Sequence, residues 1–200
     1  MQASPPPPSL TSRRWLLQSQ LPLVSFIACS LTSHGLNLSL SSPGMYAVLG
    51  PSGRGKTTLL RLIAGLEKPL NGQIHLPQDT RICFCFQEDR LLPWKTVLEN
   101  VALAAKSTED ARHWLAQVGL AGEENSYPDT LSGGMKRRAA LARALAYNAP
   151  ILLMDEPFRA LDEQTHAQMR NLIRNAAKDK LLILVTHDES DAEGMQIVRI

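Results

Sequence analysis

The eight residues Gly50-Pro51-Ser52-Gly53-Arg54-Gly55-Lys56-Thr57 satisfy the pattern G-x-x-x-x-G-K-[ST] at each fixed position, and their neighbours restrict the fold further. Upstream, Met45-Tyr46-Ala47-Val48-Leu49 is an apolar run of strand length. Downstream, residues 58–66 carry apolar side chains at helical spacing. A strand, a glycine loop and a helix in that order make a phosphate cradle. Gly50, Gly53 and Gly55 let the backbone turn tightly and aim N–H groups inward, a nest for phosphate oxygens. Lys56 then reaches the β- and γ-phosphates, and the Thr57 hydroxyl ligates Mg2+. The expected nucleotide-binding residues are Gly50, Pro51, Ser52, Gly53, Arg54, Gly55, Lys56, Thr57 and Thr58, and the expected ligand is a nucleoside triphosphate.

The remaining chain alternates strands with helices. Residues 23–28 read as a first strand, and Leu36, Leu38 and Leu40 alternate with polar residues as in a half-buried second one. Asn71-Gly72 is a hairpin signal between short strands, with 73–76 as one of them, and Arg81-Ile82-Cys83-Phe84-Cys85-Phe86 is a further strand. From Leu91 the character becomes helical. Helices are expected over 96–105, from Ser107 to Gly119, and over 133–146. The apolar strand 151–154 comes next, then an amphipathic helix over 161–178 and the β-type run 181–185. This order predicts an α/β fold: a mostly parallel sheet flanked by helices, with an antiparallel β section and an inserted helical subdomain at about 91–148.

A chain of 200 residues suffices for one domain with a large core, expected here over 23–200. A net charge of +2 gives no electrostatic reason to expect nucleic acid as a partner. Cys83 and Cys85 lie two apart on a strand, hence on one face, and are read as reduced core residues because no Cys/His pair sits at zinc-like spacing. No apolar run reaches the roughly 20 residues that span a bilayer. Residues 1–22 are rich in proline and serine at their start and are read as a flexible arm. Ser12-Arg13-Arg14-Trp15-Leu16-Leu17 imitates a twin-arginine export signal and Phe26-Ile27-Ala28-Cys29 a lipoprotein cleavage site. Against export stands the nearby phosphate loop, since nucleoside triphosphates are cytosolic ligands.

The segment Leu131-Ser132-Gly133-Gly134-Met135-Lys136-Arg137-Arg138 opens a helix with a serine and two glycines, so free N–H groups and the positive dipole end face outward toward an anion. It resembles the signature of ATP-binding cassette (ABC) ATPases, with Leu131, Ser132, Gly133, Gly134 and Met135 in the signature positions. Ile151-Leu152-Leu153-Met154-Asp155-Glu156 resembles the Walker B strand of that family. The resemblance implies that Asp155 serves Mg2+ and that Glu156 polarises the attacking water for in-line displacement. Gln87 matches the family's Q-loop glutamine, a contact of both metal and water, and His187 the switch histidine at the γ-phosphate. The implied catalytic set is Glu156, His187 and Gln87, the implied metal set Thr57, Gln87 and Asp155, and the implied ligands ATP and Mg2+. Phe158-Arg159-Ala160-Leu161-Asp162 resembles the D-loop.

The resemblance runs from about Leu36 to Asp188 and implies a composite site. Two copies would dimerise head to tail, each ATP held between one phosphate loop and the other copy's signature helix. Closure on ATP would drive transmembrane permease subunits, with an external solute-binding protein engaged indirectly, at the cytoplasmic face of the inner membrane. Gln87-Glu88-Asp89-Arg90-Leu91-Leu92-Pro93-Trp94 looks like the nitrate, taurine and alkanesulfonate importer subunits, with thiamine-type importers also similar. Leu92, Pro93 and Trp94 are then either permease contacts or, for Trp94, a core residue of the helical section. Two rivals are a degenerate cassette that binds ATP for regulation and a soluble non-transport ABC ATPase. Intact Lys56, Asp155, Glu156 and His187 oppose the first. The interval from Gln87 to Leu131 is too short for the coiled coil or zinc module of the second. Three departures from the family pattern stand out. Arg137 replaces a usual glutamine, Arg159 replaces a usual glycine, and no aromatic ring occupies the adenine-stacking position near Leu31, with His34 and Phe26 the nearest candidates.

Overall fold

In β6 (Ile151–Asp155) and β7 (Leu181–Val185) every residue is buried, as strands covered on both faces must be. They form the middle of a five-stranded sheet in the order β5 (Ile82–Cys85), β6, β7, β3 (Gly44–Leu49), β8 (Gln196–Arg199), and its four pairings are all parallel. The computed structural model describes residues 24–30, 35–40 and 43–200, with side chains over 38–40 and 43–200. The arm over 1–22, Leu31, His34 and the Phe26 side chain lie outside what it describes.

Side-chain alternation divides the uniformly apolar strands between two cores. Tyr46, Val48, Ile151, Leu153, Leu181, Ile183 and Val185 face α1 (Lys56–Ile63) and pack with Leu59, Leu60 and Ile63. Cys83, Cys85, Leu152, Met154, Leu182 and Leu184 face the other way. There they meet α2 (Val97–Ala102), α3 (Thr108–Gln117), α4 (Gly133–Ala146) and α5 (Glu163–Ala176). Cys83 and Cys85 share that second face as free thiols, and Cys83 Sγ donates to Ala144 O at 3.3 Å. Burial pushes the Cys83 thiol up to about 12, which favours the neutral thiol of a core residue.

Local signals account for the helix ends. Thr96 and Glu99 form a reciprocal capping box at α2, and Ser107, Ser132 and Asp162 cap α3, α4 and α5. Gly119 at φ 70 terminates α3, where Leu120 N donates back to Leu115 O at 2.8 Å.

Two expectations need correction. Asn71-Gly72 joins no two strands: β4 (Gln73–His75) pairs antiparallel with the distant β1 (Val24–Ser30), whose other neighbour is β2 (Gly35–Leu40). A turn dipeptide reports a bend, and the pairing partner is chosen by tertiary contacts. The chain also returns to the sheet after Asp188, through a 3-10 turn at Glu189–Ala192 into β8 along β3, an edge strand absent from the sequence reading.

Candidate functional site

Parallel pairing puts the carboxyl ends of β3, β6 and β7 level, with Val48 beside Val185 and Val185 beside Asp155. The segments leaving these strands therefore converge: the phosphate loop after β3, Glu156 after β6, Thr186 and His187 after β7, and Gln87 after the neighbouring β5. Crevices outside the carboxyl ends of parallel strands are where α/β sheets bind ligands. A cavity of about 370 Å³ lies there, lined by Ser52, Gly53, Gly55, Lys56, Thr57 and Thr58 with Gln87, Asp155 and Glu156. Gly50, Pro51 and Arg54 do not line it. Gly50 and Pro51 instead hold Lys56, whose Nζ donates to their carbonyls at 2.7 and 3.0 Å, while Arg54 N turns back to Pro51 O at 3.4 Å.

Two glycines have separate reasons. Gly55 adopts φ 90, which a β-carbon disfavours, and it forms the N-cap of α1. Gly50 is needed for close approach: a β-carbon there would stand 2.4 Å from Ile200 O. Unlike α2, α3, α4 and α5, α1 has no side-chain cap. Its first N–H groups and positive dipole end border the cavity, an arrangement suited to phosphate.

Asp155 is buried at the cavity floor. Burial raises its carboxyl above the ordinary carboxylate range, a hydrogen bond from the Thr57 side chain opposes that, and the Glu156 charge adds to it. A carboxylate, a hydroxyl and the Gln87 amide supply hard oxygen donors beside the phosphate cradle, the donor chemistry Mg2+ prefers. Glu156 has φ 45, a left-handed backbone that a non-glycine residue adopts only when held. Its N–H donates to Val185 O at 2.9 Å. Its carboxylate lies between Gln87 Nε2, which donates at 3.4 Å, and His187 Nδ1 at 3.5 Å. His187 is otherwise open, its side chain 74% exposed.

Beneath His187 is a pair the sequence did not single out. His166 Nε2 and buried Asp191 Oδ1 lie 2.5 Å apart, Thr186 Oγ1 donates to Asp191 Oδ2 at 2.6 Å, and Phe158 stacks on the His166 ring. Neither residue stands in a recognisable motif, and only the packing of α5 against the turn at Glu189–Ala192 brings them together. The signature residues stand apart from the cavity. Leu131 is buried, Ser132 accepts from Met135 N at 3.2 Å, and Ser132 and Gly133 are exposed. Gly134 abuts the D-loop, where a β-carbon would come within 3.2 Å of Ala160 O. Of the two arginine departures, Arg159 is exposed and Arg137 is buried.

Trp94 is 71% exposed, which removes the core reading of this residue. The turn that presents it is closed from within by Asn100, a fully buried side chain. Asn100 Oδ1 accepts from Leu92 N at 2.8 Å, and Nδ2 donates to the carbonyls of Leu92, Lys95 and Thr96 at 3.0–3.1 Å. The amide oxygen is engaged, and three carbonyls share the two amide N–H donors. Asn100→Ala is expected to cost about 2 kcal/mol, the penalty for buried backbone groups stripped of partners, read as a lower thermal midpoint. An unchanged midpoint would mean that water replaces the amide.

Comparison with known proteins gives a consistent result. The family profile described as "ABC transporter" matches residues 33–159, more than half of the chain. The aliphatic sulfonates import ATP-binding protein SsuB 1 of Rhodococcus jostii is 45% identical over 80% of this chain and 68% of its own length. SsuB 3 of Paraburkholderia xenovorans is 48% identical over 78% of this chain and 65% of its own length. The chain thus spans about two thirds of these relatives. A solved dimer of the ATP-binding cassette MJ0796 in a post-hydrolysis state with ADP and Pi superposes with a TM-score of 0.80 at 30% identity. It covers 88% of this chain and 94% of the other.

Proposed function

The chain belongs to the ABC transporter family of ATP-binding cassettes, and on that premise we propose that it is the ATP-hydrolysing subunit of a bacterial importer for aliphatic sulfonates. The observation that carries the reading is Glu156, held between Gln87 and His187 at the rim of a cavity walled by the phosphate loop. A carboxylate in that position accepts a proton from water as the water attacks the γ-phosphorus in line with the departing ADP oxygen. Gln87 and His187 orient that water and the γ-phosphate. Lys56 carries its charge from the loop carbonyls toward the β- and γ-oxygens, and the free N–H groups of α1 receive the phosphate oxygens. Thr57, Asp155 and Gln87 would hold Mg2+, which when bound neutralises charge shared by the β- and γ-phosphates.

Ser132 and Gly133, exposed and outside their own chain's cavity, suit a second copy that completes the ATP site head to tail. Trp94, with Leu92 and Pro93, suits a permease contact, since an exposed aromatic on a rigid turn is a good interface anchor. No helix among the described residues is long and apolar enough to cross a membrane. We assign the chain to the cytoplasmic face of the inner membrane, peripheral to permease subunits that an external solute-binding protein supplies. The substrate class follows the relatives' names and is tested in cells. Disruption of the gene should abolish growth on an alkanesulfonate as sole sulfur source and leave growth on sulfate intact, with rescue by the wild-type gene and not by its Glu156→Gln form. Undiminished growth on alkanesulfonate would overturn the substrate assignment.

A further inference from the structure

Arg137 is a buried cation outside the nucleotide cavity, at 2% exposure, and its contacts are unusually concentrated. Nε donates to Pro157 O at 2.8 Å, and Nη2 donates to Asp155 O at 3.0 Å and Glu156 O at 2.7 Å. Nη1 donates to Phe86 O at 2.7 Å and is shared with Gln87 O and Asp89 Oδ1, each at 3.3 Å. The reason lies in the sheet. The β5–β6 ladder ends at Cys85 beside Met154, and beyond it the two chains splay. The carbonyls of 86 and 87 on one side, and of 155, 156 and 157 on the other, lie beyond the last β5–β6 pair. A planar guanidinium with five N–H donors fits such a fork, whereas glutamine, the residue the family usually has here, offers only two. Arg143, further along the same helix, extends the hold by donating to Asp89 O and Arg90 O, each at 2.9 Å.

We propose that Arg137 is a positioning residue for hydrolysis, a clamp that fixes the backbones of Glu156 and Gln87 from the second turn of the signature helix without touching the nucleotide. Glu156 is where the clamp matters most. Its left-handed backbone is pinned at N–H by Val185 O and at the carbonyl by Arg137 Nη2 at 2.7 Å, with a longer bond from Arg159 N at 3.3 Å. Its carboxylate direction depends on these anchors, Arg137 the shorter at the carbonyl. Gln87 is held by its own carbonyl in the same fork, which keeps the amide within reach of the Glu156 carboxylate. The hydrogen bonds of Arg137 go to residues 86, 87, 89 and 155–157, while Lys56 donates to the carbonyls of Gly50 and Pro51, so the clamp and the phosphate cradle are held by separate sets of bonds.

The proposal rests on the reading of Glu156 as the hydrolytic base, and the test separates the two. Arg137→Gln and Arg137→Lys are made in the full chain, each alone and on the Glu156→Gln background. Single-turnover hydrolysis of radiolabelled Mg·ATP, steady-state kcat and KM, and binding of a fluorescent ATP analogue are then measured. Arg137→Gln should lower kcat by about 10²-fold, the scale of a misplaced reacting group, with KM and analogue affinity within about 2-fold of wild type. Arg137→Lys, which keeps the charge and loses the fork, should also lower kcat, by about 10-fold. If the clamp acts through Glu156, neither substitution lowers the rate further on the Glu156→Gln background. Wild-type kcat in both Arg137 variants would overturn the clamp, as would a full additional loss on the Glu156→Gln background or a parallel loss of nucleotide affinity. Should Arg137→Gln fail to fold by circular dichroism, Arg137→Lys carries the same comparison. Turnover untouched by Glu156→Gln alone would instead sink the reading of Glu156, and the clamp with it.

Discussion

Glu156→Gln is expected to lower ATP turnover by roughly 10²-fold while leaving nucleotide binding intact. The substitution preserves shape, so the pinned backbone at φ 45 and the N–H donated to Val185 O remain. It removes the one property the mechanism needs, a carboxylate able to take a proton from water beside Gln87 and His187. The charge-bearing residues of the phosphate cradle, Lys56 and Asp155, are untouched. A second consequence comes from the distance between cavity and signature. Ser132 and Gly133 are exposed and belong to a surface that the chain's own phosphate loop does not reach. ATP held without hydrolysis should therefore keep two copies of the variant together. Sedimentation with Mg·ATP should show a dimer, and without it a monomer. Wild-type rates of phosphate release would remove Glu156 from the reaction. A slow variant that stays monomeric with bound ATP would leave hydrolysis assigned and assign the closing of the pair to the permease.

The sequence displayed what local chemistry controls. Gly133–Ala146 and Leu181–Val185 have the bounds that capping and apolar patterning predict, and β6 gains only Asp155. The phosphate loop was equally plain, because a glycine-rich turn tolerates few alternatives. β8 was not, since Gln196-Ile197-Val198-Arg199 is a weak strand signal that pairing with β3 converts into an edge strand. The partner of β4 was hidden for the same reason. The least visible residues are polar groups whose roles exist only after folding. Asn100 closes a turn, Asp191 holds His166 and Thr186, and Arg137 fills the fork where two strands part. In sequence Arg137 reads as a departure from a family pattern. Its partners show why the helix tolerates a buried charge there: five backbone carbonyls beyond the paired ends of β5 and β6, and the Asp89 carboxylate, surround the guanidinium.

Asp155→Asn is expected to move stability and activity in opposite directions. Burial raises the Asp155 carboxyl, so the folded chain holds its proton more tightly than the unfolded chain does. Below the ordinary carboxylate range, near pH 4, both states are protonated and Asp155 costs nothing. As pH rises from the unfolded value through the elevated folded one, the unfolded state releases its proton first and stability is lost, and above the folded value the ligand-free protein bears the full cost of a buried charge. Asparagine keeps the shape and an oxygen to accept from the Thr57 hydroxyl, and it carries no charge. Ligand-free Asp155→Asn should thus melt above wild type at pH 7, and the difference should shrink as the pH is lowered. Turnover should fall by about 10²–10³-fold, the scale of losing one electrostatic anchor in a reaction that develops phosphoryl charge. Mg·ATP should raise the midpoint of wild type more than that of the variant, because a divalent cation turns the buried carboxylate from a cost into a ligand. A lower midpoint for the ligand-free variant at pH 7 would mean that Thr57 and Arg137 already compensate the charge. In that case the floor of the cavity is built for the anion itself, and it is the cation whose arrival would have to displace existing partners.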